Sequence, residues 1–257
     1  MAPRGLKTIL KRLQTAKLVK RGGYTCFAPV RDGVVVSTAL RGVTKRLGHR
    51  LFSKGAMPII ARQPDDRPGG HWRGANGGRV RGKKVDAQIT RLVNAGAAAR
   101  KNIKHVYRLT KFALSALSSA GLEPVLAQFA VASETLRLAT AADVVCFNKR
   151  TNKIAVVELK TGFPHGRTAA AVLKGKAQTM HEPCKKAADN TNNRHFAQLA
   201  LTHYLLNTPQ LRAKLSDLAI DTEIDALLLY ACDSGTELYN LPIWWQKRAS
   251  KIACVCA

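Results

Sequence analysis

The sequence predicts an α/β protein: a mixed sheet of about four to six strands flanked by helices. Three observations lead there. Two apolar, β-rich runs, 136–147 and 154–157, are joined by the polar break 148–153 and read as an antiparallel hairpin. Helical spacing of apolar residues marks 85–117 and 194–207 on either side of it. A further pair of runs, 223–231 and 236–243, is split by Asp233-Ser234-Gly235 and reads as a second hairpin that extends the sheet.

The chain begins with a basic segment, 1–60, expected as an N-terminal arm or targeting segment. Residues 1–57 carry 13 Lys and Arg against one acid, Asp32. Leu6, Ile9, Leu10, Leu13, Leu18 and Val19 give an amphipathic helical pattern that Gly22-Gly23 ends. Such a start suits a DNA-binding arm, a nuclear localisation signal, an organelle-targeting presequence, or a solvated tail with no address. Residues 34–36 read as a short strand.

Residues 61–84, rich in Gly, Pro and Arg, read as a linker. Within it, His71 and Trp72 form a packing anchor or a base-stacking pair. The main domain is expected over 85–257. Val85, Ile89, Leu92 and Val93 predict a helix closing at Gly96, and Ile103 to Leu117 a second one stopping at Gly121. Residues 125–131 read as the first strand of the sheet.

The chain has 257 residues, 46% apolar, enough for a sizeable core. Its formal charge of +26, from 42 Lys and Arg against 16 Asp and Glu, favours a polyanionic partner, DNA first. No apolar run of about 18 residues exists to span a membrane. Six cysteines lack a CxxC pair and suit free thiols in a reducing, intracellular compartment.

The chemistry centres on the first hairpin. Alternation along a strand puts Glu158 and Lys160 on one face and Leu159 on the other. Asp143 interrupts the partner strand, so two carboxylates and an ammonium converge. Carboxylate oxygens suit Mg²⁺ or Mn²⁺. Such an ion activates water and neutralises phosphate charge, while Lys160 holds or deprotonates the water or stabilises the transition state. The plainer alternative is an ion pair on a solvated strand face.

Asp143 followed by Glu158-Leu159-Lys160 resembles the PD-(D/E)XK nuclease superfamily, and the flanking residues resemble its RecB and lambda-exonuclease branch. The likeness spans about residues 82–245. It implies a restriction-endonuclease-like core and an Mg²⁺-dependent nuclease with Asp143 and Glu158 on the metal and the Leu159 carbonyl as a third ligand. Glu134, nine residues before Asp143, would support the metal. The resemblance also implies a polar or acidic residue on the preceding helix, where Asp86 stands; a residue of the helix's first turn is the alternative reading. It implies a Gln helix too, matched by Gln198 within 194–207. Thr202 stands where that pattern has Tyr, and Tyr204 lies two residues later. Some relatives hold an iron–sulfur cluster on one early and three late cysteines. Cys26, Cys232, Cys254 and Cys256 match the count, but the Cys-Val-Cys ending has the wrong spacing.

Arg194, His195, Gln198 and Thr202 form one polar stripe on the 194–207 helix, which implies a ligand or cavity beside it. Arg194, His195 and Thr202, with Lys174 and Lys176 in the preceding irregular segment, are the expected DNA contacts. The expected activity is exonucleolytic cleavage of linear duplex ends in recombination, repair or replication. The alternatives are a nicking or structure-dependent endonuclease and a non-catalytic DNA-binding or packaging protein.

Overall fold

The structure, a computed structural model, describes residues 2–21, 24–31, 34–35, 40–52, 77–100, 106–162, 179–232 and 234–257. His71 and Trp72 lie outside these. In chain order the elements are α1 (Leu6–Arg12), β1 (Ala16–Arg21), β2 (Tyr24–Arg31), β3 (Val34–Val35), β4 (Arg41–Gly42), α2 (Val43–Arg50), α3 (Gly77–Arg100) and α4 (Arg108–Ser119). There follow β5 (Leu122–Ser133), β6 (Leu138–Asn148), β7 (Lys153–Gly162), α5 (Thr191–Leu206), α6 (Pro209–Asp217), β8 (Asp221–Cys232), β9 (Gly235–Asn240), α7 (Ile243–Gln246) and α8 (Ala249–Cys256).

The unbroken apolar run Ile154–Val157 demands a strand buried on both faces. It gets one. Ile154 and Val156 belong to one apolar cluster, while Ala155 and Val157 belong to another. Because side chains alternate along a strand, the two clusters lie on opposite faces of the sheet. The first holds α1, α2, α5 and α8; the second holds α3 and α4. The architecture is therefore α/β, with a mixed six-stranded sheet between helices.

Strands β5, β6 and β7 form an antiparallel meander. β8 runs parallel to β7, reached by the crossover through α5 and α6, and β9 returns antiparallel to β8. β6 gives one edge to β5 along its whole length. Its other edge pairs with β7 only over Val144–Asn148 and with β4 at Leu138 and Ala139. Between those pairings, from Thr140 to Asp143, that edge is open. β1, β2 and β3 make a separate three-stranded sheet.

The N-terminal segment is not an appended arm. Leu6, Leu10, Val43, Leu47 and Leu51 are at most 2% exposed in the first cluster. Lys7 Nζ donates to the Val93 and Asn94 carbonyls of α3. The single helix expected through Val19 is also corrected: α1 ends at Arg12, and Leu18 and Val19 lie on β1. The expected linker shortens as well, because α3 starts at Gly77 and runs past Gly96. Lys, Arg and Ala are good helix formers, and packing of Val85, Ile89 and Val93 on the sheet outweighs the glycine cost.

Among the described residues, no helix is long and apolar enough to cross a membrane. All six cysteines are free. Burial pushes the Cys184 and Cys256 thiols up to about 11, which suits packing rather than reactivity.

Candidate active site

The site forms where β6 and β7 part. Their pairing stops at Val144↔Val157, so Asp143 and Glu158 face an opening. The ladder bond missing there is replaced by a side chain: the Leu159 N–H donates to Asp143 Oδ2 at 2.8 Å. A strand residue presents its N–H and C=O to the same edge, so the Leu159 carbonyl faces this opening too. The Leu159 side chain packs in the second cluster, as alternation requires.

Glu158 and Lys160 project from the first-cluster face, under α5. Lys160 Nζ donates to Glu158 Oε1 at 2.6 Å and to Gln198 Oε1 at 3.1 Å. Gln198 Nε2 donates to the same Glu158 oxygen at 2.5 Å. Glu158 is 2% exposed, which excludes the solvated ion pair.

Asp86 arrives from the opposite face, on α3. Gly82 lets that helix sit close, since a Cβ there would lie 3.2 Å from Thr161 Oγ1. Gln128 Nε2 donates to Asp86 Oδ1 at 2.8 Å and reaches Asp143 Oδ1 at 3.4 Å. Asp86 is thus joined to the site through an amide. Gln128 is a residue that motif spacing passes over. The available signal is that it alone carries an amide or charge between Glu123 and Glu134, as Asp143 is the one acid in its own run.

Burial pushes the Asp143 carboxyl well above the usual aspartate range, and neighbouring Glu158 adds to this. Burial raises Asp86 as well, against the Gln128 hydrogen bond. For Lys160, burial opposes the charge, but Glu158, Asp143 and Asp86 outweigh it and hold the ammonium above its ordinary value. Lys160 is therefore a fixed cation, suited to holding water or phosphate and not to taking a proton.

Glu158 Oε2 is buried and accepts no hydrogen bond among the described residues. A bare carboxylate oxygen in a buried place is costly, and a hard cation relieves it. Asp143, Glu158 and the Leu159 carbonyl offer the oxygen donors that Mg²⁺ or Mn²⁺ prefers, with Asp86 alongside. Among the described residues, no three His, Cys, Asp or Glu side chains cage a metal unaided. Mg²⁺ is commonly held by one or two carboxylates and completes its shell with water and substrate phosphate.

Several expected residues lie elsewhere. Glu134 sits in the turn after β5, where both carboxylate oxygens take hydrogen bonds from Arg31 at the surface. It lies beyond the Ser133↔Leu138 pair, and Leu138 is about 16 Å of strand from Asp143. It therefore cannot serve the metal. We expect Glu134→Ala to leave metal binding and catalytic rate within about twofold of wild type, because only an exposed pair is lost; metal titration and rate assays check this.

The polar stripe of α5 meets polar groups of the sheet and, at Arg194, the segment that precedes the helix. Thr202 is buried and bonds Thr140 Oγ1 at 2.9 Å, so it is not a DNA contact. Arg194 makes a two-pronged pair with buried Asp189, at 2.6 and 2.9 Å, and stacks on Phe52. It is an internal fastening for the start of α5. His195 Nδ1 bonds the Tyr230 hydroxyl at 2.8 Å, and that hydroxyl donates to Asn192. Tyr230 pairs in register with Lys160, so His195 remains beside the site. Tyr204 is exposed, about 240° around α5 from Gln198, and does not reach it. Lys174 and Lys176 lie outside the described residues.

A basic cleft of about 320 Å³ lies away from these residues, lined by Lys185, Lys186, Lys247, Arg248 and Lys251 with Glu182 and Pro183. Its one acid, Glu182, is paired with Lys185. Arg248 lies over the Trp244 ring, 3.9 Å from its centroid. No protein-family model and no curated protein matches the chain.

Proposed function

We propose that this chain is a divalent-metal-dependent deoxyribonuclease with a restriction-endonuclease-like core, of the PD-(D/E)XK type. The observation that carries this reading is the unsatisfied buried oxygen of Glu158, set beside Asp143 and the Lys160 cation in a split of the sheet. A structural ion pair alone gives no reason to bury a carboxylate oxygen without a hydrogen bond. Asp143, Glu158 and the Leu159 carbonyl would hold the ion. When bound, the ion polarises a phosphoryl oxygen and acidifies water.

The protein's own groups do the rest. Lys160 stays charged and sets the attacking water against the phosphorus, then stabilises charge on the phosphoryl oxygens. Gln198 fixes Lys160 and Glu158 by gripping both, which keeps the reactants aligned. Leu159, through its N–H, orients the Asp143 carboxylate.

The +26 charge supports a polyanionic substrate. The basic cleft extends contact with the phosphate backbone beyond the site. Joint replacement of Lys186, Lys247 and Lys251 by Ala is expected to flatten the slope of log binding constant against log salt by up to about 2.7, at about 0.9 per phosphate contact. A salt series on duplex binding checks it; an unchanged slope removes the cleft from the DNA path.

The reading is tested by incubating purified protein with end-labelled linear duplex and closed circular DNA, in Mg²⁺ or EDTA. Metal-dependent loss of linear DNA alone establishes an end-processing exonuclease, the form we favour for the RecB and lambda-exonuclease likeness. Nicking of the circle assigns an endonuclease. Binding without cleavage leaves a DNA-binding protein and ends the catalytic reading.

A further inference from the structure

Gln128 combines two features that no ordinary strand residue has. Its φ is +55°, in the left-handed region that an unbranched polar residue occupies only when its surroundings hold it there. It also faces both Asp86 and Asp143 with one amide nitrogen.

The backbone conformation has a visible consequence. Ala127 and Phe129 stand two residues apart and should share a face, yet they pack in opposite clusters. The turn at Gln128 causes this exchange. Across the ladder, Ala142 and Val144 make the same exchange around Asp143. Both strands thus change face at one rung, and that rung carries Gln128 and Asp143. The conformation is held by Asn94, whose side chain takes a bond from the Ala127 N–H at 2.9 Å and gives one to its carbonyl at 3.1 Å.

A primary amide has two N–H donors, so it can serve two carboxylates at once. Asp86, on α3, and Asp143, on β6, are like charges brought together at this one amide, and Asp86 adds to the rise of the Asp143 carboxyl. Without a donor between them they would swing apart.

We propose that Gln128 is a positioning residue: it spaces the carboxylates of Asp86 and Asp143 so that both address one divalent ion, and this recruits Asp86 into the site. The inference rests on the metal-dependent reading above. It also separates Gln128 from simple packing, because its backbone conformation suits glycine better than glutamine.

The experiment is calorimetric titration of Mn²⁺ into wild type, Gln128→Gly and Gln128→Asn, with the metal-free Tm of each. Gln128→Gly removes the amide and relieves the left-handed strain. Gln128→Asn keeps a residue that tolerates that conformation but draws the amide back by one methylene. Both variants are expected to bind Mn²⁺ at least about tenfold more weakly, as loss of a group that orients metal ligands does. Their metal-free Tm is expected at or above that of wild type for Gly and near it for Asn. Mn²⁺ affinity within about twofold of wild type in both variants overturns the proposal. So does a metal-free Tm lowered in both, which marks a packing role. No Mn²⁺ binding by wild type sinks the metal reading itself, and this inference with it.

Discussion

Asp143→Asn is expected to abolish metal-dependent cleavage and to stabilise the metal-free protein above neutral pH. The two effects share one cause. Asp143 is a half-buried carboxylate crowded by Glu158 and Asp86, and Lys160 offsets their charge. That crowding is useful to a dication and unfavourable without one. The sign follows from the raised pKa. A carboxyl held above its unfolded value contributes fully below the unfolded pKa near 4, and stability is lost as pH rises through the folded value. Wild type without metal should therefore lose stability from about pH 4 upward. The Asn variant, with one titrating group fewer, should lose less, leaving it more stable at pH 8 by on the order of 1 kcal/mol. Thermal melts from pH 4 to 8 in EDTA check this. Equal pH slopes for the two proteins would show that Asp143 is not the strained group.

The second large effect is at Lys160. Its ammonium is the strongest partner of Glu158, which is 2% exposed. Lys160→Met leaves that carboxylate buried and, among the described residues, bonded by Gln198 alone, at a cost of about 3–5 kcal/mol. A drop in Tm of about 10 °C should follow, with cleavage reduced on the order of a thousandfold. The double variant Glu158→Gln, Lys160→Met should recover most of the stability and none of the activity, because the uncompensated charge is gone. Mg²⁺ should raise the Tm of Lys160→Met more than that of wild type, since the ion replaces the missing positive charge. A double variant as unstable as the single one would locate the damage in packing instead.

The hairpin of β6 and β7, and the placement of Glu158 and Lys160 on one face, are legible in the sequence because unbroken apolar runs with a polar turn have few other solutions. The Gln198 helix is legible for the same reason: Phe196, Leu199, Leu201 and Leu205 leave a narrow polar stripe. What that stripe meets is not legible. Thr202 and Arg194 look like surface groups until Thr140 and Asp189 are brought to them by the fold. Glu134 shows the limit of counting along a chain. Nine residues before Asp143 leads back past the start of β6 to the far end of a hairpin, not towards the site. Leu18 and Val19 fit a helical period, yet β1 forms because its ladder with β2 satisfies the backbone. Gln128 is the hardest case, since a left-handed backbone at a non-glycine residue is imposed by contacts such as Asn94, which local sequence does not contain.

Metal-dependent cleavage at Asp143 is tested most directly by the release of labelled nucleotide from linear duplex DNA by wild type and Asp143→Asn, each with Mg²⁺ and with EDTA. Release is expected from wild type in Mg²⁺ alone and none in the other three reactions. Equal release with EDTA, or by the folded Asn variant, would contradict it.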